Sequence, residues 1–229
     1  MDLDKRLATL AALAPQGARL ADIGTDHAYL PVHLVKEGRV ERAIASDVLP
    51  GPCRAAEKTI REAELTTQIE VRCGDGLATL QPGEADTIVL AGMGGPTMTA
   101  ILERSPEVLA QAKCLLLQPM GGAATVRRWL YEHGWFIEAE ELVVERDHWY
   151  EILAAHPGKR PCPREALLWL GPILTEKRHP LLREYALAVV GRLQKALASM
   201  RQGKNTEEKQ TRYRLLIETI GEEMKTWRQ

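Results

Sequence analysis

Several protein classes are excluded by what this sequence lacks. No stretch approaches the roughly 18 consecutive apolar residues that a membrane-spanning helix needs. The opening residues, Met1 to Arg6, mix both charge signs instead of forming a basic segment, an apolar core and a small-residue cleavage site. A cytoplasmic location is therefore expected. The four cysteines, Cys53, Cys73, Cys114 and Cys162, form no C-x-x-C pair, and no histidine stands at metal-ligand spacing from them. The expectation is no metal site and four reduced, mostly buried thiols. Tandem repeats and low-complexity tracts are absent. So is G-x-x-x-x-G-K-[ST], which argues against a nucleoside triphosphate held at a P-loop.

What is present is an ordinary globular composition, 45% hydrophobic and 27% charged over 229 residues, enough for one medium domain and a small second one. The net charge of -1 hides an asymmetry: residues 157–229 hold 15 Lys+Arg against 8 Asp+Glu, a balance of +7, and the remainder carries -8. Such a split points to a polyanion as a partner of the basic part, and is equally compatible with a solvated helical surface.

Leu3, Leu7, Leu10 and Leu13 predict a short amphipathic helix that Pro15 and Gly17 end. Short apolar runs then alternate with helical stretches. Strands are expected over 19–24, 42–47, 69–75, 86–91 and 114–119, with helices near 30–36, 52–63, 96–110 and 123–133. Two further strand-like runs, 135–144 and 149–155, are joined by the polar Glu145 to His148 and read as a closing hairpin. Almost wholly apolar strands alternating with helices make a parallel sheet covered on both faces, an open α/β fold. The segment 159–163, with two prolines, reads as a linker to a helical domain. There the stripes Val189, Leu193, Leu197, Met200 and Tyr213, Leu216, Ile217, Ile220, Met224, Trp227 predict an antiparallel helical hairpin, with Asn205 and Glu208 as a capping box.

In an open α/β sheet, ligands bind beyond the carboxyl ends of the strands. The unusual residues of this chain gather there: Asp22 to Ala28 after the first strand, Asp47 to Gly51 after the second, Gly74-Asp75-Gly76 after the third, and Gly92 to Gly95 after the fourth. Glycines let a ligand approach the backbone, and an acid ending the second strand is placed for ribose hydroxyls. Together they point to a nucleoside-bearing ligand. It is not NAD, because Gly24 is followed by Thr25, Asp26 and His27 where that fingerprint needs glycines. S-adenosylmethionine carries an ammonium and a sulfonium but no phosphate, and suits acids in the first turn.

These residues also carry a resemblance. DIGTDHAYLP from Asp22, Asp47-Val48 with Gly51-Pro52, Gly74-Asp75-Gly76-Leu77, AGMGG from Ala91, Leu117-Gln118-Pro119, Trp129-Leu130, Gly134-Trp135 and Tyr150-Glu151 resemble the TrmK family of tRNA (adenine(22)-N1)-methyltransferases over nearly the whole chain. The resemblance implies a Rossmann-like class I methyltransferase sheet over residues 1–158 and a helical coiled-coil domain over 159–229 that engages tRNA. It implies that Asp22, Gly24, Thr25, Asp26 and His27 hold the methionine part of S-adenosylmethionine. Asp47, with Val48 beside it, would take the ribose, and Asp75, between Gly74 and Gly76, the adenine amino group. Gly92, Met93 and Gly94 would floor the site beside the methyl, with Asp26, Met93 and Gly94 nearest the chemistry. One departure is Met120, where the family pattern has asparagine. Arg127 and Arg128 are expected as basic contacts for RNA at the cleft mouth. The residues show no catalytic dyad. They leave open a methyltransferase for another substrate, or a non-catalytic RNA-binding protein with a relic pocket.

Overall fold

In the computed structural model, which describes residues 3–200 and 207–227, the first unit is a seven-stranded sheet. Its strands are β1 (Ala18–Ile23), β2 (Val40–Asp47), β3 (Ile69–Cys73), β4 (Thr87–Met93), β5 (Cys114–Pro119), β6 (Trp135–Glu145) and β7 (His148–Pro157). They lie in the order β3-β2-β1-β4-β5-β7-β6. β1 to β5 pair in parallel, and β7 is antiparallel to both its neighbours. The central strands are largely apolar because both faces are covered: Leu20, Ile88, Val89, Leu90, Leu115, Leu116 and Leu117 are all buried.

The helices α1 (Lys5–Leu13), α2 (Tyr29–Lys36) and α3 (Pro50–Glu62) pack in sequence on one face. α4 (Gly95–Glu103) and α6 (Ala123–Glu132) pack together on the other. The stretch expected as one helix over 96–110 is two, because Ser105-Pro106 interrupts it and α5 (Pro106–Leu109) starts anew. Proline lacks the N–H that would continue the ladder and pushes the residue before it out of the helical region.

Strand order reverses between β1 and β4, so their carboxyl ends diverge there and leave a crevice. Two expectations fail in this part of the chain. Cys53 and Cys73 are disulfide-bonded and not free: β3 pairs with β2 so that Cys73 lies opposite Asp47, and α3 leaves the same strand end, bringing the two Cα atoms to 6.1 Å. Of the free thiols only Cys114 is buried, and burial pushes it up to about 12; Cys162 is exposed.

The chain divides into compact units Met1–Arg160 and Pro161–Gln229. The second adds two short helices that periodicity did not separate, α7 (Glu165–Leu170) and α8 (Pro172–Glu176), before α9 (Leu182–Met200) and α10 (Glu207–Thr226). α9 and α10 pack through the expected stripes, with Val189, Leu193, Leu216 and Ile220 buried. Asn205 of the expected capping box lies outside the described residues. Among those residues no helix is long and apolar enough to cross a membrane, and no group of His, Cys, Asp and Glu is placed to hold a metal ion.

Candidate functional site

A cavity of about 570 Å³ opens at the switch point. Its first wall is the turn from β1 into α2. Gly24, Asp26 and Ala28 all adopt left-handed backbone, with φ of 78°, 52° and 56°. Only glycine does so without strain, so the turn is held from outside. The N–H groups of Gly24 and Thr25 both donate to the Ser46 carbonyl, at 2.8 and 2.9 Å, and the Asp26 N–H donates to Asp47 Oδ2 at 3.3 Å. Asp47 Oδ1 accepts the Leu49 N–H, and the Asp47 carbonyl accepts the Gly74 N–H. One aspartate thus ties together the ends of β1, β2 and β3. At Gly24 a Cβ would stand 2.9 Å from the Met93 methyl, so the turn and the end of β4 are fitted to each other.

Asp22 is the buried charge of this cavity. It is 5% exposed, and Thr25 Oγ1 donates to its Oδ2 at 2.7 Å. Burial pushes the carboxyl up to about 6, against the Thr25 hydrogen bond and the positive Arg6, while Asp47 adds a smaller upward push. A carboxylate made costly to ionise, in a cleft, is what a cationic ligand would relieve.

The structure gathers Asp22, Gly24, Thr25, Asp26, His27 and Gly92 on the cavity wall. His27 stacks on Tyr29 with rings 5.1 Å apart. Met93 and Gly94 lie behind the wall: the Met93 carbonyl accepts the Met120 N–H, and Gly94 starts α4. A Cβ at Gly95 would collide with the Gly122 carbonyl, so the loops after β4 and β5 nest backbone to backbone. Val48 is exposed beside Asp47. Gly74, Asp75 and Gly76 do not line the cavity, and Asp75 forms an exposed pair with Arg104 at 2.9 Å.

The basic contact expected at Arg127 requires correction. Arg127 is fully buried, with Nε 2.6 Å from Glu140 and Nη2 2.7 Å from Glu151, so its guanidinium clamps α6 to the β6–β7 hairpin and offers nothing to RNA. Its helix phase carried the signal: Ala123, Val126, Arg127 and Leu130 form one stripe at i, i+3, i+4 and i+7, the buried face. Arg128 is half-buried.

Sequence reasoning also missed Arg6 and Gln118. Gln118 is fully buried, and its Oε1 accepts from Arg6 Nη1 at 3.0 Å and from the Gly92 N–H at 3.1 Å. The glutamine thereby sets a guanidinium and a backbone turn on one wall. A basic residue on the amphipathic α1 reads as solvated, and nothing in the sequence joins positions 6 and 118. Met120 stands exposed on the rim, bringing a thioether where an amide was expected.

Comparison with known proteins agrees with this geometry. A family model described as a methyltransferase domain matches residues 3–153. The tRNA (adenine(22)-N(1))-methyltransferase of Bacillus subtilis (strain 168) is 33% identical over 96% of this chain and 94% of its own length. The crystal structure of the B. subtilis M1A22 tRNA methyltransferase TrmK superposes with a TM-score of 0.82 at 32% identity, covering 98% of this chain and 96% of that one. That of M. capricolum TrmK, in complex with the cofactor product S-adenosyl-homocysteine, gives 0.81 at 25% identity over 96% of both chains. With the sheet order, the switch-point cavity and these whole-length matches in agreement, the chain belongs to the TrmK family of methyltransferases.

Proposed function

We propose that this protein transfers a methyl group from S-adenosylmethionine to N1 of an adenine in tRNA, the adenine at position 22. The observation that carries the reading is the buried Asp22 in a switch-point cavity, in a chain matching tRNA (adenine(22)-N(1))-methyltransferase over 96% of its length. The cavity's charges fit the cofactor. Asp22 answers an ammonium, and the half-buried Arg6 answers a carboxylate. Asp47 keeps lone pairs for ribose hydroxyls after accepting two backbone N–H groups, since a carboxylate has about four acceptor sites. Thr25, Asp26 and His27 line the methionine end, with Gly24 giving close backbone approach. Val48 offers an apolar edge to the adenine. Asp75, framed by Gly74 and Gly76, would exchange Arg104 for the adenine amino group.

When bound, S-adenosylmethionine supplies an electrophilic methyl on its sulfonium. The chain's own task is alignment, because adenine N1 carries a free lone pair at neutral pH and needs no base. Gly92 lines the floor on which the base rests, Met93 and Gly94 support it from behind, and Asp26 orients the base or the ammonium. N1 lies on the Watson–Crick edge, so the target must be unpaired or flipped out. Residues 1–158 hold the cofactor, and residues 159–229, with their balance of +7, engage tRNA phosphates. The protein works in the cytoplasm, where its tRNA substrate is.

A radiolabelled methyl-transfer assay on unmodified tRNA, followed by nucleoside analysis, tests the reading. N1-methyladenosine at position 22 is expected. Label in a small molecule or protein instead, or cofactor binding without transfer to any RNA, overturns it.

A further inference from the structure

The β6–β7 hairpin is longer than the sheet that supports it. β7 pairs with β5 only at Leu153, Ala154 and Ala155, opposite Leu117, Leu116 and Leu115. From Ile152 to His148 it pairs with β6 alone. Because β7 runs against β5, those residues continue past Leu117, and as β5 ends at Pro119 the outermost of them stand beyond the carboxyl edge of the parallel strands as a two-stranded arm. Its tip, the turn residues Arg146 and Asp147, brings Arg146 to the cavity, which Glu145, Arg146 and Tyr150 line together. Both turn residues have left-handed backbone, φ 50° and 65°, the geometry of a tight two-residue hairpin. Arg127, buried against Glu140 and Glu151, anchors the arm's base to α6.

The cavity lining is rich in acid. Asp4, Asp22, Asp26 and Glu145 contribute carboxylates, and Arg6 and Arg146 contribute the guanidinium groups. Arg6 is committed to Gln118 at 3.0 Å and to Asp4 at 3.5 Å. Arg146 is exposed and makes no ion pair among the described residues. A nucleotide that presents its base here brings its phosphates near these carboxylates, and a like-charge approach is opposed. We infer that the arm is the RNA-side wall of the active site and that Arg146 takes the phosphodiester beside the target nucleotide. This rests on the tRNA reading above. Glu145 and Asp147 flank Arg146, so the tip carries no net positive charge and does not recruit RNA from a distance. It makes its contact after docking, when a phosphate comes within reach of the guanidinium fork.

The test compares wild type, Arg146→Ala and Arg146→Lys in the full chain, reading tRNA methylation, tRNA binding across a salt series and S-adenosylmethionine binding. Arg146→Ala is expected to raise KM for tRNA about five- to tenfold, less than a buried charge-assisted hydrogen bond would give because the contact is solvent-exposed. It should lower the slope of log affinity against log salt by about 0.7, the loss of one phosphate contact on a single strand. Arg146→Lys should keep the slope, and cofactor affinity and thermal midpoint should stay at wild-type values in both. An unchanged KM and salt slope in Arg146→Ala, beside an active wild type, overturns the inference. So does weakened cofactor binding, which would place the guanidinium on the cofactor carboxylate. A wild type that forms no N1-methyladenosine in tRNA removes the reading on which the inference rests.

Discussion

Replacing Asp22 by asparagine should make the cofactor-free protein more stable while making it a poorer binder. An aspartate titrates near 3.8 when exposed, as in the unfolded chain, and the burial of Asp22 pushes it up to about 6 in the fold. The folded state therefore binds more protons than the unfolded state between those values, and stability falls as pH rises through that window. At about 1.4 kcal/mol per tenfold change in the protonation equilibrium, ionised Asp22 costs the fold about 3 kcal/mol above pH 6. Asparagine has no such cost and can still accept from Thr25. Urea unfolding of wild type and Asp22→Asn without cofactor should give nearly equal stabilities near pH 4. By pH 7.5 the variant should lead by about 1–3 kcal/mol. Cofactor affinity should move the other way, falling roughly 10- to 150-fold in the variant at pH 7.5, as a charge-assisted hydrogen bond of about 1.5–3 kcal/mol is lost. In wild type it should weaken below pH 6, where the carboxyl must first release its proton. A stability difference independent of pH, or an Asp22→Asn protein less stable than wild type at pH 7.5, would falsify the assignment of Asp22 as a strained, cation-seeking carboxylate.

Three further outcomes can be checked together. Asp47→Ala should weaken S-adenosylmethionine binding by roughly 1.5–3 kcal/mol by calorimetry, and an unchanged dissociation constant in a folded variant would show that Asp47 serves only the turns. Arg127→Ala strands two glutamates against α6 and should cost about 3–5 kcal/mol of stability. The salt slope of tRNA binding should stay the same, whereas a lower slope at unchanged stability would return Arg127 to the RNA surface. A protein ending at Arg160 should keep cofactor affinity and lose most tRNA affinity and methylation, and full methylation by it would make the helical unit dispensable for RNA.

The sheet was readable because the central strands carry short apolar runs such as Ile88-Val89-Leu90 and Leu115-Leu116-Leu117, a pattern that burial on both faces favours. The wall of the cavity from Asp22 to His27 was readable for the same reason: a strand end followed by residues too polar and too turn-prone for a core. What failed to show were relations between distant positions. Arg6 reaches the site only because Gln118, 112 residues away, accepts from it. Cys53 and Cys73 meet because β2 and β3 align Asp47 with Cys73, a register that no cysteine spacing announces. Arg127 was misread by chemistry, since paired arginines suggest a basic patch, although the helix phase placed one of them inside. The arm past Leu117 depends on how far β5 supports β7, and pairing partners are not written in either strand alone.

That arm ends on a pair that stability would not choose. In a turn where both residues need left-handed backbone, Asn-Gly is the favoured pair, and Arg146-Asp147 holds it at a cost on the order of 1 kcal/mol for each non-glycine residue. A programme that hardens this protein by replacing each position with its best local former would rewrite the turn early and be rewarded with a higher melting temperature. Heat resistance and RNA handling would then separate in the variants. Any library built from this scaffold should therefore hold positions 146 and 147 fixed and seek its stability elsewhere.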